Sequence, residues 1–335
     1  MGIPSVSAII NEAKVIEFLN NRTFAVVAGV LLALTAALTV ATGQAMPADV
    51  GQGMFFSISK ALYDSTWLSM VVNVAGILAT GVQLTLLGKL YNFVKSLTFV
   101  GAAAFFLLEL STPLISCTLN TGTLLVLLLA VGTMELFDCY QDKHAQGPIF
   151  LVMCVLGFGV MVHWAALVLI PAFLLGFAYL RAMNWRAMVA AAIGLFTPFW
   201  IVLGLGIASP SEFRLLELNP LWDTLEQLQV RLLVGWAACT VLMTIVLSVV
   251  NLFSIYHYRL QLRVYNAFFL MVSFLAVAAM CVDHRNLTAY LPIVNLCLSV
   301  QIAHAFTISK FPKRYLFIVA LAVVCVGVCI SSIVI

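Results

Sequence analysis

Residues 232–254 read LLVGWAACTVLMTIVLSVVNLFS, a run of 23 positions without one charged side chain. Wound as an α-helix, the run is about 34 Å long. The hydrocarbon core of a bilayer is about 30 Å thick, so the stretch predicts a transmembrane helix. Working outward, comparable segments lie at 24–41, 66–87, 97–116, 121–137, 148–163, 165–180, 187–208, 264–282, 288–308 and 315–335. The expected fold is all-α: a polytopic transmembrane helix bundle of about 11 spans, with 1–335 as a single transmembrane domain. The segments 148–163 and 165–180 are short for a full crossing and can form a bent or re-entrant pair.

Composition gives the same answer. Of 335 residues, 64% are hydrophobic and only 9% are charged; soluble chains carry roughly 45–50% and about 25%. A soluble fold of this size has too little interior for that much apolar surface. Sixteen basic and thirteen acidic residues leave a net charge of +3 with no charge run, so nucleic acid is not an expected partner. The eight cysteines lie mostly in apolar stretches without a CxxC pair and read as small buried hydrophobes. Cys117 and Cys281 fall near the same ends of their spans, where a disulfide can form. No Walker or Rossmann motif and no serine nucleophile elbow is present, which argues against nucleotide-driven cytoplasmic chemistry. The first apolar run follows the polar stretch NEAKVIEFLNNR without a convincing A-x-A site, so no cleavable leader is expected.

Loop charge sets the orientation. With the N-terminus cytoplasmic, Lys14, Arg22, Lys89, Lys95, Lys143, Arg181, Arg186, Arg259, Arg263, Lys310, Lys313 and Arg314 lie inside. Only Lys60, Arg214, Arg231 and Arg285 then lie outside. That bias follows the positive-inside rule. The two long connections, 42–65 and 209–231, fall on the outer face, and both read as amphipathic. In the first, Phe55, Ile58 and Leu62 recur at helical spacing from Met54 to Leu62, the pattern of an interfacial helix. In the second, leucines alternate with acids on either side of Pro220, predicting one or two interfacial helices broken there. With short inner loops, binding or chemistry is expected at the outer face.

Polar groups inside an apolar bundle need a reason. Glu109, in FFLLELSTPLIS, sits inside the third span, where a carboxylate must be paired, protonated or facing a wet cavity. It reads either as a structural hydrogen bond or as a cavity-lining acid, and Pro113 predicts a kink beside it. Asp49 and Asp64 flank the first outer segment. Asp64, in LYDSTW, can simply cap the second span; Asp49, in MPADVGQG, has less structural excuse and is the first choice for a base. His163 and Trp164 interrupt two apolar runs at the outer boundary, as an aromatic belt or as a site. Asn73, and Asp283 with His284 and Arg285, can border the same outer cavity. Asn295, Gln301 and His304 mark the tenth span as inward-facing. No HxH, HExxH or Cys/His spacing for a metal is present, which leaves the outer carboxylates as the place for a divalent cation.

The segment 135–205 carries a further pattern. An acidic–aromatic–basic inner loop precedes GFGVMVHWAALVLIPAF, which is followed by an inner Asn184-Trp185-Arg186 turn and a span with Gly194 and Pro198 at G-x-x-x-P spacing. This resembles the middle of polytopic glycosyltransferases of the GT-C type, which use polyprenyl-phosphate-linked sugar donors. With the late segment VDHRNLTAYLPIVNLCLSVQIAHAF, about two thirds of the chain is similar to a poorly characterised multi-pass inner-membrane family of Bacteroidota. The resemblance implies a GT-C-like helix arrangement in a bacterial inner membrane, with sugar transfer at its outer face and an acid of the first outer loop as base. Asp49 matches that acid by position. Lys60, Arg231 and Arg285 are the candidates to meet the lipid phosphate, Arg231 being best placed. The family pattern often has two neighbouring acids; here Asp49 and Asp64 are far apart. Two other readings stay open: a non-catalytic subunit or assembly factor of a larger envelope complex with a membrane-protein partner, and a transporter of a small or lipid-linked substrate.

Overall fold

The computed structural model describes residues 14–43, 53–56, 65–94, 98–209, 211, 213–214, 228–256, 258–283, 286–308 and 314–334. Among these, every regular element is helical. In chain order they are α1 (Arg22–Ala41), α2 (Thr66–Tyr91), α3 (Val100–Leu110), α4 (Pro113–Ser116), α5 (Thr121–Asp138), α6 (Gln146–Val162), a 3₁₀ turn (Trp164–Val168), α7 (Leu169–Tyr179), α8 (Trp185–Gly204), α9 (Leu228–Ile255), α10 (Leu260–Val282), α11 (Leu287–Ile308) and α12 (Arg314–Val334). Each of the eleven apolar segments is helical. Eight of the helices, α1, α2, α5 and α8 to α12, are long and apolar enough to cross a membrane. The other three, α3, α6 and the 164–179 stretch, are shorter.

Short polar side chains start the helices where the sequence changes character. Ser65, Asn120 and Asn184 each accept from a backbone N–H of the first turn of α2, α5 and α8, relieving donors that a helix start leaves unpaired. Asn92 ends α2 in the left-handed region with φ 46°, a conformation asparagine tolerates better than most residues. The expected span 97–116 is interrupted. Proline lacks an N–H and crowds the preceding turn, so α3 stops at Leu110 and Pro113 opens α4 as its first residue.

The core sits on α11, of which 94% of the membrane-length window is buried. It packs against α3, α5, α9 and α10, while the other side of α3 meets α1, α2 and α12. The reading of the tenth span as inward-facing is thus correct. Three carboxamides explain how a polar helix holds this place. Asn251 of α9 donates to the Gln301 backbone carbonyl at 2.7 Å and to its side-chain oxygen at 2.8 Å; Gln301 in turn donates to Asn266 Oδ1 of α10 at 2.9 Å. Hydrogen bonds of this kind join helices where lipid supplies no hydrophobic drive between them. At the expected inner end, Phe137 stacks on Tyr265 with centroids 3.8 Å apart, and Tyr91, Phe93, Phe268 and Phe269 surround the pair.

The tightest pairing joins α6 and α8. A Cβ on Gly157 would overlap the Leu195 carbonyl, and one on Gly194 would overlap the Phe150 carbonyl. Each helix therefore offers a glycine to the other's backbone, the close approach that small residues allow in membranes. Outward faces carry Trp200, Phe253 and Phe274, all largely exposed, as lipid-facing surface requires. None of the eight cysteines is disulfide-bonded; Cys117 is buried and Cys281 exposed, so the disulfide between them is not formed.

Candidate functional site

Asp49, Lys60, Asp64 and Arg285 lie outside the described residues, and with them the carboxylate pair offered for a cation. Of the helix expected over Met54–Leu62, residues 57–62 also lie outside the described residues, and the described start departs from it. Gly53–Phe56 is not helical; it runs across the end of α6 as irregular chain. Met54 donates its backbone N–H to the Val160 carbonyl at 3.4 Å, while Phe55 and Phe56 donate to the Met161 carbonyl at 3.3 and 3.1 Å. These carbonyls belong to the last turn of α6 and have no partner within the helix. The strand-like docking leaves no room for a side chain at Gly53, where a Cβ would collide with the Met161 and Val162 backbone.

The second outer connection reaches the same place. Arg214 donates its N–H to the Met54 carbonyl at 3.1 Å. The Phe55 ring meets Phe213 at 5.9 Å and Phe199 at 6.4 Å, and Trp164 meets Phe213 at 6.5 Å. Both long connections therefore converge on the break between α6 and α7, where His163 and Trp164 stand. His163 is extended, with φ −155° and ψ 130°, and its Nδ1 accepts from Ala165 N at 3.0 Å. That bond caps the 3₁₀ turn and places the ring proton on Nε2. His163 is buried and Trp164 partly so.

The remaining candidates serve other parts of the bundle. Asn73 donates to the Ser116 carbonyl at 2.9 Å and the Ile115 carbonyl at 3.4 Å, and its oxygen accepts from Asn120 N at 3.3 Å. With Ser69, which accepts from Leu119 N at 2.6 Å, and Asn120, which donates to the Thr288 carbonyl at 3.0 Å, it braces residues 111–120. Apart from the single turn of α4, that stretch is irregular yet buried, a state tolerated in a membrane protein only where protein groups satisfy the backbone. Glu109 is 1% exposed and accepts from Asn295 Nδ2 at 3.0 Å. It borders a narrow gap with Thr80, Phe105, Thr123 and Pro292, too small for water. Asp283 is also buried; one of its oxygens takes Asn286 Nδ2 at 2.7 Å and the Tyr290 hydroxyl at 3.2 Å.

Helix geometry decides which of these groups act together. Tyr290 and Asn295 are five residues apart on α11, about 7.5 Å along the axis and about 140° around it. Asp283 and Glu109 therefore approach α11 from different sides, and the structure does not bring them into one cavity. Arg231 lies exposed in the first turns of α9. A wider groove of about 460 Å³ is lined by Leu90, Tyr91, Val131, Met134, Glu135 and Asp138, at the end of the bundle opposite His163. Among the described residues, no group of three or more histidines, cysteines or acids is arranged to hold a metal.

Sequence reading overlooked the Asn251–Gln301–Asn266 clasp, although asparagine and glutamine in apolar runs were its signal. Comparison with known proteins finds no matching family model, no similar curated protein and no similar solved structure.

Proposed function

We infer that the protein is a multi-pass enzyme of a bacterial inner membrane that transfers a sugar from a polyprenyl-phosphate donor at the outer face. The observation supporting this reading is the convergence of both long connections on the α6–α7 break. Backbone pairing from Met54 to Val160, and from Arg214 to Met54, gathers three separate parts of the chain at one end of the bundle. Asp49 precedes Gly53 by four residues in the sequence. In this reading it takes the proton of the acceptor hydroxyl as that oxygen attacks the anomeric carbon. The lipid phosphate leaves with the bonding electron pair, and Arg231, Arg285 or Lys60 balances its charge in low dielectric. A divalent cation at the outer carboxylates would assist the same departure.

A second reading, a non-catalytic subunit of an envelope complex, draws on the structural work done by Asn73, Glu109 and His163, each hydrogen-bonded within the fold. One experiment separates the two. Purified protein in proteoliposomes, supplied with a radiolabelled polyprenyl-phosphate hexose and membrane acceptor extract, is expected to release polyprenyl phosphate. Asp49→Asn should slow release by about a hundredfold or more, the usual range for loss of a general base. Release absent from the parent protein would favour the subunit, whereas release that survives Asp49→Asn unchanged would keep the enzyme and remove Asp49 as its base.

A further inference from the structure

Near the end of the bundle that carries Gly53–Phe56, helices α4, α9 and α12 leave a cleft that no sequence motif announces. Ser111, Thr112, Leu233, Trp236, Val328 and Ser332 are among its walls. It has about 20 Å³ of room, enough for one oxygen-sized group. Trp236 is 7% exposed, and its indole N–H has no hydrogen-bond partner. A buried donor left this way is unfavourable, which is why nearly all such groups are paired.

The other polar atoms in the cleft say what the missing partner must be. Ser111 donates its hydroxyl proton to the Leu108 carbonyl, Thr112 to the Glu109 carbonyl at 3.2 Å, and Ser332 to the Val328 carbonyl at 2.9 Å. All three protons are taken by backbone carbonyls, so what these oxygens have left to offer is lone pairs. The site therefore combines one free donor with three acceptors. A carboxylate or a fully ionised phosphate could accept from the indole but has no proton for the hydroxyl oxygens, and its lone pairs would face theirs. A hydroxyl matches both, because it accepts one hydrogen bond and donates one.

The surroundings of the cleft are apolar. Leu232, Leu233 and Val328 line it, and α9 and α12 have only 22% of their membrane-length windows buried. These two helices scarcely contact each other, so the cleft lies between two surfaces that face hydrocarbon. Arg231 does not contribute. It is five residues before Trp236, about 140° around α9, and none of the described residues lining the cleft is charged. We propose that the cleft binds the hydroxyl headgroup of a neutral lipid, whose oxygen accepts from Trp236 and donates to a Ser or Thr oxygen while its chains lie between α9 and α12. An ordered water has the same hydrogen-bonding chemistry, and the test distinguishes the two.

Native mass spectrometry of the full chain in detergent, with dioleoylglycerol or dioleoyl phosphatidic acid added separately, supplies that test. The lipids share their acyl chains and differ in the headgroup. The diacylglycerol adduct is expected at several-fold lower concentration than the phosphatidic acid adduct. Trp236→Phe, which keeps a ring and removes the donor, should weaken it about fivefold to tenfold, the worth of one hydrogen bond between neutral groups. Val328→Phe, which fills the cleft while leaving the indole in place, should abolish it and carries the test if Trp236→Phe does not fold. Equal binding of both lipids, or diacylglycerol binding unchanged in both variants, would overturn the proposal and leave water as the occupant.

Discussion

Glu109 poses the sharpest question at the scale of single residues. Its carboxyl is almost fully buried, and the one hydrogen bond found for it comes from Asn295. Removing one partner of a buried pair strands the other, whereas replacing both with apolar groups of similar shape can be nearly neutral. Asn295→Leu should therefore destabilise the protein by about 1–3 kcal/mol, read as a lower midpoint of thermal unfolding in detergent. Glu109→Gln keeps an oxygen for Asn295 and should stay close to the parent. The decisive variant is Glu109→Leu with Asn295→Leu, expected to recover most of what the single asparagine change loses. Failure to recover would mean that Glu109 supports the fold through something other than this pair. The sequence marked Glu109 as needing a partner but could not name it, because Asn295 is 186 positions away and helix order does not give helix adjacency.

Elements were legible wherever the apolar run alone decided them. Residues 232–254 could only be a long helix, and α9 extends that run to Leu228–Ile255. The 97–116 span was less legible, since hydropathy does not register a break made by backbone geometry. Pro113 supplied that signal, and it ends a helix here rather than bending one. Met54–Phe56, the described start of the helix expected to Leu62, departs from it for the opposite reason. Phe55 has helical spacing to Ile58 and Leu62, but its backbone is claimed by the open carbonyls of α6, a tertiary demand that local periodicity does not contain. The contact between α6 and α8 was present in the sequence as Gly157 and Gly194, although nothing there paired them. Gly194→Ala must push the Phe150 backbone aside, and overpacking of this kind costs about 1–3 kcal/mol. Because α8 packs chiefly on α6, the loss should appear as protease cleavage in the 182–184 connection before the rest of the bundle unfolds. An unchanged cleavage rate would show that the helices can separate slightly without penalty.

Across the whole molecule, the open matter is which way the bundle faces and how the three shorter helices are counted. The 164–179 stretch joins a 3₁₀ turn to α7, and the 3₁₀ portion rises about 2 Å per residue against 1.5 Å in α7. Its sixteen residues thus extend about 26 Å, close to a full crossing. Counting α3, α6 and this stretch as spans puts the 142–144 connection on the same side as Lys89 and Arg186, and Ser211 on the other. Twelve basic residues on the first side against four on the second then predict that side to be cytoplasmic. A single cysteine at Lys143 or at Ser211, both exposed, tests this with a membrane-impermeant maleimide. Cys139, the native thiol nearest the first probe, will not obscure the result. Burial, with Asp142, Asp138 and Glu135 adding to it, pushes that thiol up to about 12, so near neutral pH it stays protonated and unreactive. With Cys281, exposed near the outer end of α10, replaced by serine in both variants, whole cells should label Ser211→Cys and not Lys143→Cys, with inverted vesicles giving the reverse. Labelling of both positions from the same side would mean that an odd number of the segments between them fails to cross. Since α6 and α8 are held together by their glycines, the 164–179 stretch would then be the one to remove from the count.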